Sequence, residues 1–222
     1  MILVNTIGAV ALLFTSVAFA TQHNVSIMDP PQKLTSTDTT ILGGIEDGGI
    51  EVVQVLNKAI AGDVVRIDVT SFGGSAVLAQ YIYHAMQRTR AEVHVTVPAA
   101  AMSAAALLLC HANTIDLDDN SIIMFHTLQS TVKDEKGKDV TTPLDVTDKD
   151  PGNQAFVRLT AYLMDTCQNS RVLTKQEVTD MFFKHKEIWL TGKQVMQRTG
   201  GKIHHSTQGS DNVLKSYETA GE

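Results

Sequence analysis

The stretch VVRIDVTSFGGSAVLAQYIYHAMQ, residues 64–87, decides the fold class. Val64 to Val69 is a short run rich in β-branched residues and reads as a strand. Gly73-Gly74 then break the chain. Beyond them Val77, Leu78, Tyr81, Ile82, Ala85 and Met86 recur at the spacing of one helical face. The same alternation continues outward in both directions. Upstream, Val52, Val53, Val55, Leu56, Ala59 and Ile60 suit a helix that Gly62 stops. Downstream, Val93 to Val97 is a strand ended by Pro98, and Ala99 to Ala112 is a small, apolar run expected as a buried helix. Thr114 to Leu117 and Ser121 to Phe125 are extended pieces around the turn Asp118-Asp119-Asn120. Strand, helix, strand, helix, strand is the order of right-handed β-α-β crossovers, so an α/β fold is expected, with a mainly parallel sheet flanked by helices.

The flanks are different in character. Residues 129–153 form a polar excursion with Lys133, Asp134, Glu135, Lys136 and Lys138 around Gly137, expected as a hairpin turning near Lys136-Gly137. Helices resume at Gln154 to Cys167 and at Thr174 to Phe183. Thr174 with Glu177, and Thr191 with Gln194, stand in capping-box register at two helix starts. Asp29-Pro30-Pro31 through Thr40 reads as a linker, and residues 204–222 as a polar tail. Residues 1–28 lack any Asp, Glu, Lys or Arg, and the apolar run from Ile7 ends at Ala18-Phe19-Ala20. This is the pattern of a signal peptide, an anchor or a propeptide, and favours export or anchoring over a cytoplasmic site. Residues 29–203 are then expected as one domain, which 222 residues accommodate in a single core. A net charge of −6 provides no basic field for a phosphate backbone, so nucleic acid is not expected as a partner. Two cysteines, Cys110 and Cys167, are too few for a closed metal site and are expected as buried thiols, able to pair only if the protein is exported and their Cα atoms are close.

Three short motifs carry chemistry. Ser103 lies where an apolar strand gives way to the alanine-rich run, so its hydroxyl can sit at a helix start beside the free amide of Ala104. That position also suits a plain N-cap serine. Ser71-Phe72-Gly73-Gly74-Ser75 is a glycine turn between strand and helix, able to aim amides at a ligand, and it matches neither a phosphate loop nor a dinucleotide fingerprint. His126 closes the apolar strand Ile122-Ile123-Met124-Phe125, at the rim where sites on open sheets are built.

Taken together, Thr70-Ser71-Phe72-Gly73-Gly74, Ala101-Met102-Ser103-Ala104-Ala105 and Ile123-Met124-Phe125-His126 resemble, in order and approximate spacing, the Clp protease proteolytic subunit family of the Clp-protease/crotonase-like superfamily. The resemblance implies that superfamily's β-α-β superhelical fold, a serine peptidase with Ser103 as nucleophile and His126 as general base, and an oxyanion hole from the amides of Gly74 and Ala104. It implies no metal or cofactor. The family's acidic residue precedes a short stretch that starts the last helix. Glu187, before Ile188-Trp189-Leu190-Thr191-Gly192, takes the place of the usual aspartate, with Asp180 as the alternative. Phe72 replaces the usual proline and Met102 a usual small residue. With Gly73 they are expected to border the substrate. The implied partners are a peptide or unfolded-protein substrate, further copies in a homo-oligomeric ring, and a separate ATP-dependent unfoldase, since no nucleotide motif occurs here. The long excursion puts ring stacking in doubt. A membrane-linked protease with a Ser-Lys dyad, based on Lys133, Lys136 or Lys138, is one competing expectation. A non-catalytic scaffold is another, and acyl-CoA chemistry on the shared scaffold a third.

Overall fold

Alternation between buried and exposed side chains along two neighbouring segments, Thr37–Gly44 (β1) and Val64–Gly73 (β2), sets the plane of the sheet. The structure is a computed structural model and describes residues 36–144 and 150–203. The apolar segment 1–28 and the tail 204–222 lie outside the described residues. In β2, Val65, Ile67, Val69 and Ser71 face inward while Arg66 and Asp68 face out. In β1, Thr39 and Ile41 take the inward places. Each buried aliphatic side chain of this kind contributes about 1.5–3 kcal/mol, and a slip of one residue would turn every one of them to solvent.

Between them runs helix α1 (Gly49–Lys58), and after β2 comes α2 (Ala76–Arg88). Ser75 caps α2 by accepting the Leu78 amide at 3.2 Å. Strand β3 (Glu92–Val97) pairs in parallel with the first half of β2, from Val64 opposite Glu92 to Asp68 opposite Thr96. The next strand, β4 (Ala100–Met102), takes over further along, with Ser71 opposite Ala101. Then follow a 3-10 helix (Ser103–His111), β5 (Thr114–Leu117), β6 (Ile122–Phe125), the hairpin strands β7 (Gln129–Lys133) and β8 (Asp139–Pro143), α3 (Pro151–Asn169), α4 (Lys175–Lys184), β9 (Ile188–Thr191) and α5 (Gly192–Thr199). The sheet runs β5-β3-β2-β4-β6-β9, with β1 also paired to β2. Within this sheet the strand pairings are parallel except β6 with β9, and the separate hairpin β7/β8 is antiparallel.

The mainly parallel α/β architecture is the expected one, with three corrections. Thr37–Gly44 is a strand rather than part of a linker, and Ile188–Thr191 adds an edge strand. Ala99 to Ala112 is not one α-helix. Its first residues pair with β2 and β6 as β4, and the rest winds as a 3-10 helix in which Ala104 to His111 are all buried. The excursion is a hairpin as expected, turning at Asp134–Lys138, where one Asp134 carboxylate oxygen accepts the amides of Lys136 and Lys138 at 2.9 Å each. Both capping boxes form, Thr174 with Glu177 and Thr191 with Gln194.

Candidate active site

Ser103 occupies the corner between β4 and the 3-10 helix, and its backbone there is left-handed, with φ +54°. For a residue with a Cβ such a conformation costs about 1–3 kcal/mol and persists where the surroundings over-determine it. Gly73 provides those surroundings. A Cβ at position 73 would fall 2.7 Å from the Ser103 Cβ and 2.9 Å from the Met102 carbonyl oxygen, and Gly73 itself has φ +100°. The end of β2 can lie against the serine corner only with glycine at that position.

The amides around this corner are sorted by what accepts them. Gly73 donates to the buried Ser71 Oγ at 3.2 Å. The amides of Gly74 and Ala104 have no acceptor among the described residues. Ser103, Gly74 and Ala104 all line one cavity of about 420 Å³. Unclaimed backbone donors around a hydroxyl-bearing cavity are what a developing negative oxygen requires.

His126 follows β6 directly and lines the same cavity. Its Nδ1 lies 2.5 Å from the carbonyl oxygen of Thr127. A carbonyl only accepts, so Nδ1 is the donor of this contact; in the neutral imidazole that tautomer leaves on Nε2 the lone pair a general base needs. Among the described residues no hydrogen bond joins Ser103 to His126; the two meet as walls of one cavity.

The acidic candidates are separated by their partners. In the β6/β9 ladder Phe125 lies opposite Ile188 and Met124 opposite Trp189. The ladder ends there, with His126 the residue after one strand and Glu187 the residue before the other. The Glu187 carboxylate is exposed and accepts the Trp189 indole N–H at 3.1 Å. Asp180 is engaged elsewhere, accepting from Gln176 and Lys184 at 2.8 Å and from Lys186 at 2.9 Å. The Lys184 ammonium, then Lys186 and the Gln176 amide, hold its carboxyl well below the usual carboxylate range. Those contacts clamp the segment between α4 and β9; none of them reaches His126.

Of the three residues expected beside the substrate, Phe72 lines the cavity and is 72% exposed. Gly73 and Met102 do not line it: Gly73 instead supports the serine corner, and the Met102 carbonyl packs against Gly73. None of Lys133, Lys136 and Lys138 lines the cavity, and Lys133 pairs with Asp139 at 2.9 Å across the hairpin. Sequence reasoning missed the opposite wall, where Thr160, Leu163 and Met164 of α3 face Leu107 of the 3-10 helix. Their i, i+3, i+4 spacing marked a helix face but not what it faced. It also missed Gln129 and Thr131 of the hairpin. Cys110 and Cys167 are buried as expected but are bridged rather than free, with Cα atoms 4.7 Å apart. The bridge ties the two cavity walls together just beyond Leu107 and Met164. Among the described residues no cluster of His, Cys, Asp and Glu could hold a metal ion.

Residues 41–149 match the family model for Clp protease, a span that contains Gly74, Ser103, Ala104 and His126 and stops short of Glu187. No curated protein matches this chain.

Proposed function

Residues 41–149 belong to the Clp protease family, and from that premise we propose that the chain is a serine-type endopeptidase with Ser103 as nucleophile and His126 as its general base. Serine peptidase activity on peptide substrates is what the family implies; the residue assignments are ours. One observation carries them: Ser103, a histidine whose Nδ1 lies against a carbonyl oxygen, and two residues with unclaimed backbone amides line a single cavity. His126 Nε2 takes the hydroxyl proton as Ser103 Oγ attacks the peptide carbonyl. The resulting negative oxygen is held by the amides of Gly74 and Ala104. His126 returns the proton to the leaving amine, and water, deprotonated by the same imidazole, resolves the acyl-enzyme. No step requires a metal or cofactor.

Glu187 is the proposed third member, supported by its position next to Ile188, the residue paired with Phe125 at the end of the ladder beside His126. To serve, its carboxylate must exchange the Trp189 indole for the imidazole N–H now given to Thr127. Leu107, Leu163 and Met164 favour an apolar substrate side chain in the cavity, with the exposed ring of Phe72 at its border. A homo-oligomeric ring and a separate ATP-dependent unfoldase follow from the family premise. The bridged cysteines favour an oxidising compartment and thus the exported form of the protein. A fluorophosphonate probe should label Ser103 in the folded, assembled protein and fail to label Ser103→Ala. An unlabelled parent would replace the peptidase with a non-catalytic scaffold.

A further inference from the structure

Glu46 lies in the turn between β1 and α1, outside the cavity lining, yet its carboxylate reaches the glycine turn that borders the cavity. Its Oε1 accepts the Ser75 amide at 2.6 Å, the short distance expected of a charge-assisted bond. Its other oxygen fills the space a side chain on Gly74 would need, and a Cβ at that position would overlap it. The backbone is tied at the same place, the Ile45 amide donating to the Gly73 carbonyl at 2.8 Å. One turn therefore holds Gly73-Gly74-Ser75 twice, once through its main chain and once through a carboxylate.

That turn is itself braced. Asp47 accepts the Gly44 amide at 3.1 Å through its side chain, and its own amide donates to the Gly44 carbonyl at 2.9 Å. Among the described residues Glu46 has no Lys, Arg or His partner, so its bond to the backbone is not a by-product of an ion pair. Gly74 has φ +137°, and a glycine in that region, untied, samples many orientations of its peptide planes.

We infer that Glu46 is a positioning residue: by fixing the Gly74-Ser75 link it keeps the Gly74 amide turned to the cavity as an oxyanion donor. The catalytic consequence rests on the peptidase reading; the structural consequence does not. An oxyanion donor acts on the transition state rather than on the bound substrate, so loosening it lowers kcat and leaves KM nearly unchanged. Removing such a donor outright costs about 100- to 1000-fold; freeing the adjoining Gly74–Ser75 peptide, with the Gly73 carbonyl still held by the Ile45 amide, should cost less, roughly 10-fold.

The test compares Glu46→Ala, which removes the acceptor, with Glu46→Gln, which retains an oxygen for the Ser75 amide. Peptide hydrolysis and amide hydrogen exchange are measured on the full, assembled protein. Expected are a fall in kcat for Glu46→Ala at constant KM, recovery of most of that loss in Glu46→Gln, and faster exchange confined to residues 73–76. An unchanged kcat, or a loss that appears in KM alone, overturns the inference. So does unchanged exchange at Ser75, or acceleration spread through β2 and α2. A parent that exchanges as expected but hydrolyses nothing would sink the peptidase proposal, and exchange at Ser75 in Glu46→Ala would then decide the positioning claim by itself.

Discussion

Cutting the Cys110–Cys167 bridge is the perturbation whose size the structure fixes best. The two residues are 57 positions apart. A cross-link closing a loop of that length removes unfolded-chain entropy amounting to about 4 kcal/mol. A domain of this kind is stable by only about 5–15 kcal/mol, so the loss is a large share of the whole. At roughly 2–4 °C per kcal/mol it corresponds to a Tm lower by roughly 8–16 °C. Function should suffer as well. Cys110 lies one 3-10 turn beyond Leu107, and Cys167 about one α-helical turn beyond Leu163 and Met164, so the bridge holds the facing walls of the cavity. Loosened walls bind an apolar side chain less well, which raises KM. The assay is urea unfolding of the parent with and without dithiothreitol, beside the double variant Cys110→Ala/Cys167→Ala. The reduced parent isolates the cross-link, because it keeps both sulfur atoms. A reductant effect below about 1 kcal/mol would refute the reasoning, as would two titratable thiols in the denatured, unreduced parent.

Three further outcomes follow from single contacts. Gly73→Ala puts a Cβ 2.7 Å from that of Ser103 at φ +100°, so probe labelling should fall at least about tenfold as the serine corner is displaced; parental labelling would show that the corner does not depend on Gly73. Asp180 is held ionised by Lys184, Lys186 and Gln176. A carboxyl lowered in the folded state stabilises above the unfolded value of about 3.9 and loses that contribution as pH falls towards the folded value. The gap in Tm between parent and Asp180→Asn should therefore be constant near neutrality and shrink from about pH 4 downward; a gap independent of pH would contradict the clamp. Glu187→Gln should slow hydrolysis by at least about tenfold without loss of Tm if its carboxylate orients the imidazole; rates equal to the parent would remove it from the triad.

How far the sequence could be read depended on whether a signal was local. The β-branched alternation of Val64 to Val69, the helical stripe from Val77 to Met86 and the two capping boxes are local, and each marks its element. The strand at Thr37–Gly44 hid because its outward places hold Asp38 and Thr40 and only Thr39 and Ile41 are fully inward. Ala99 to Ala112 has high helix propensity, but pairing of Ala100–Met102 with two neighbouring strands and the left-handed Ser103 override it. In the candidate site the three motifs were visible as order and spacing. The wall from α3, the bridge between Cys110 and Cys167 and the reach of Glu46 to Ser75 join residues distant in the chain, so no window of sequence contains them.

The central claim is that His126 activates Ser103, and the rate constant for acylation of Ser103 by a fluorophosphonate in the parent and in His126→Ala tests it most directly. General-base assistance of this kind contributes about 100- to 10,000-fold, so the variant should react slower by at least about two orders of magnitude while staying folded. Equal acylation rates in the two proteins would contradict the claim.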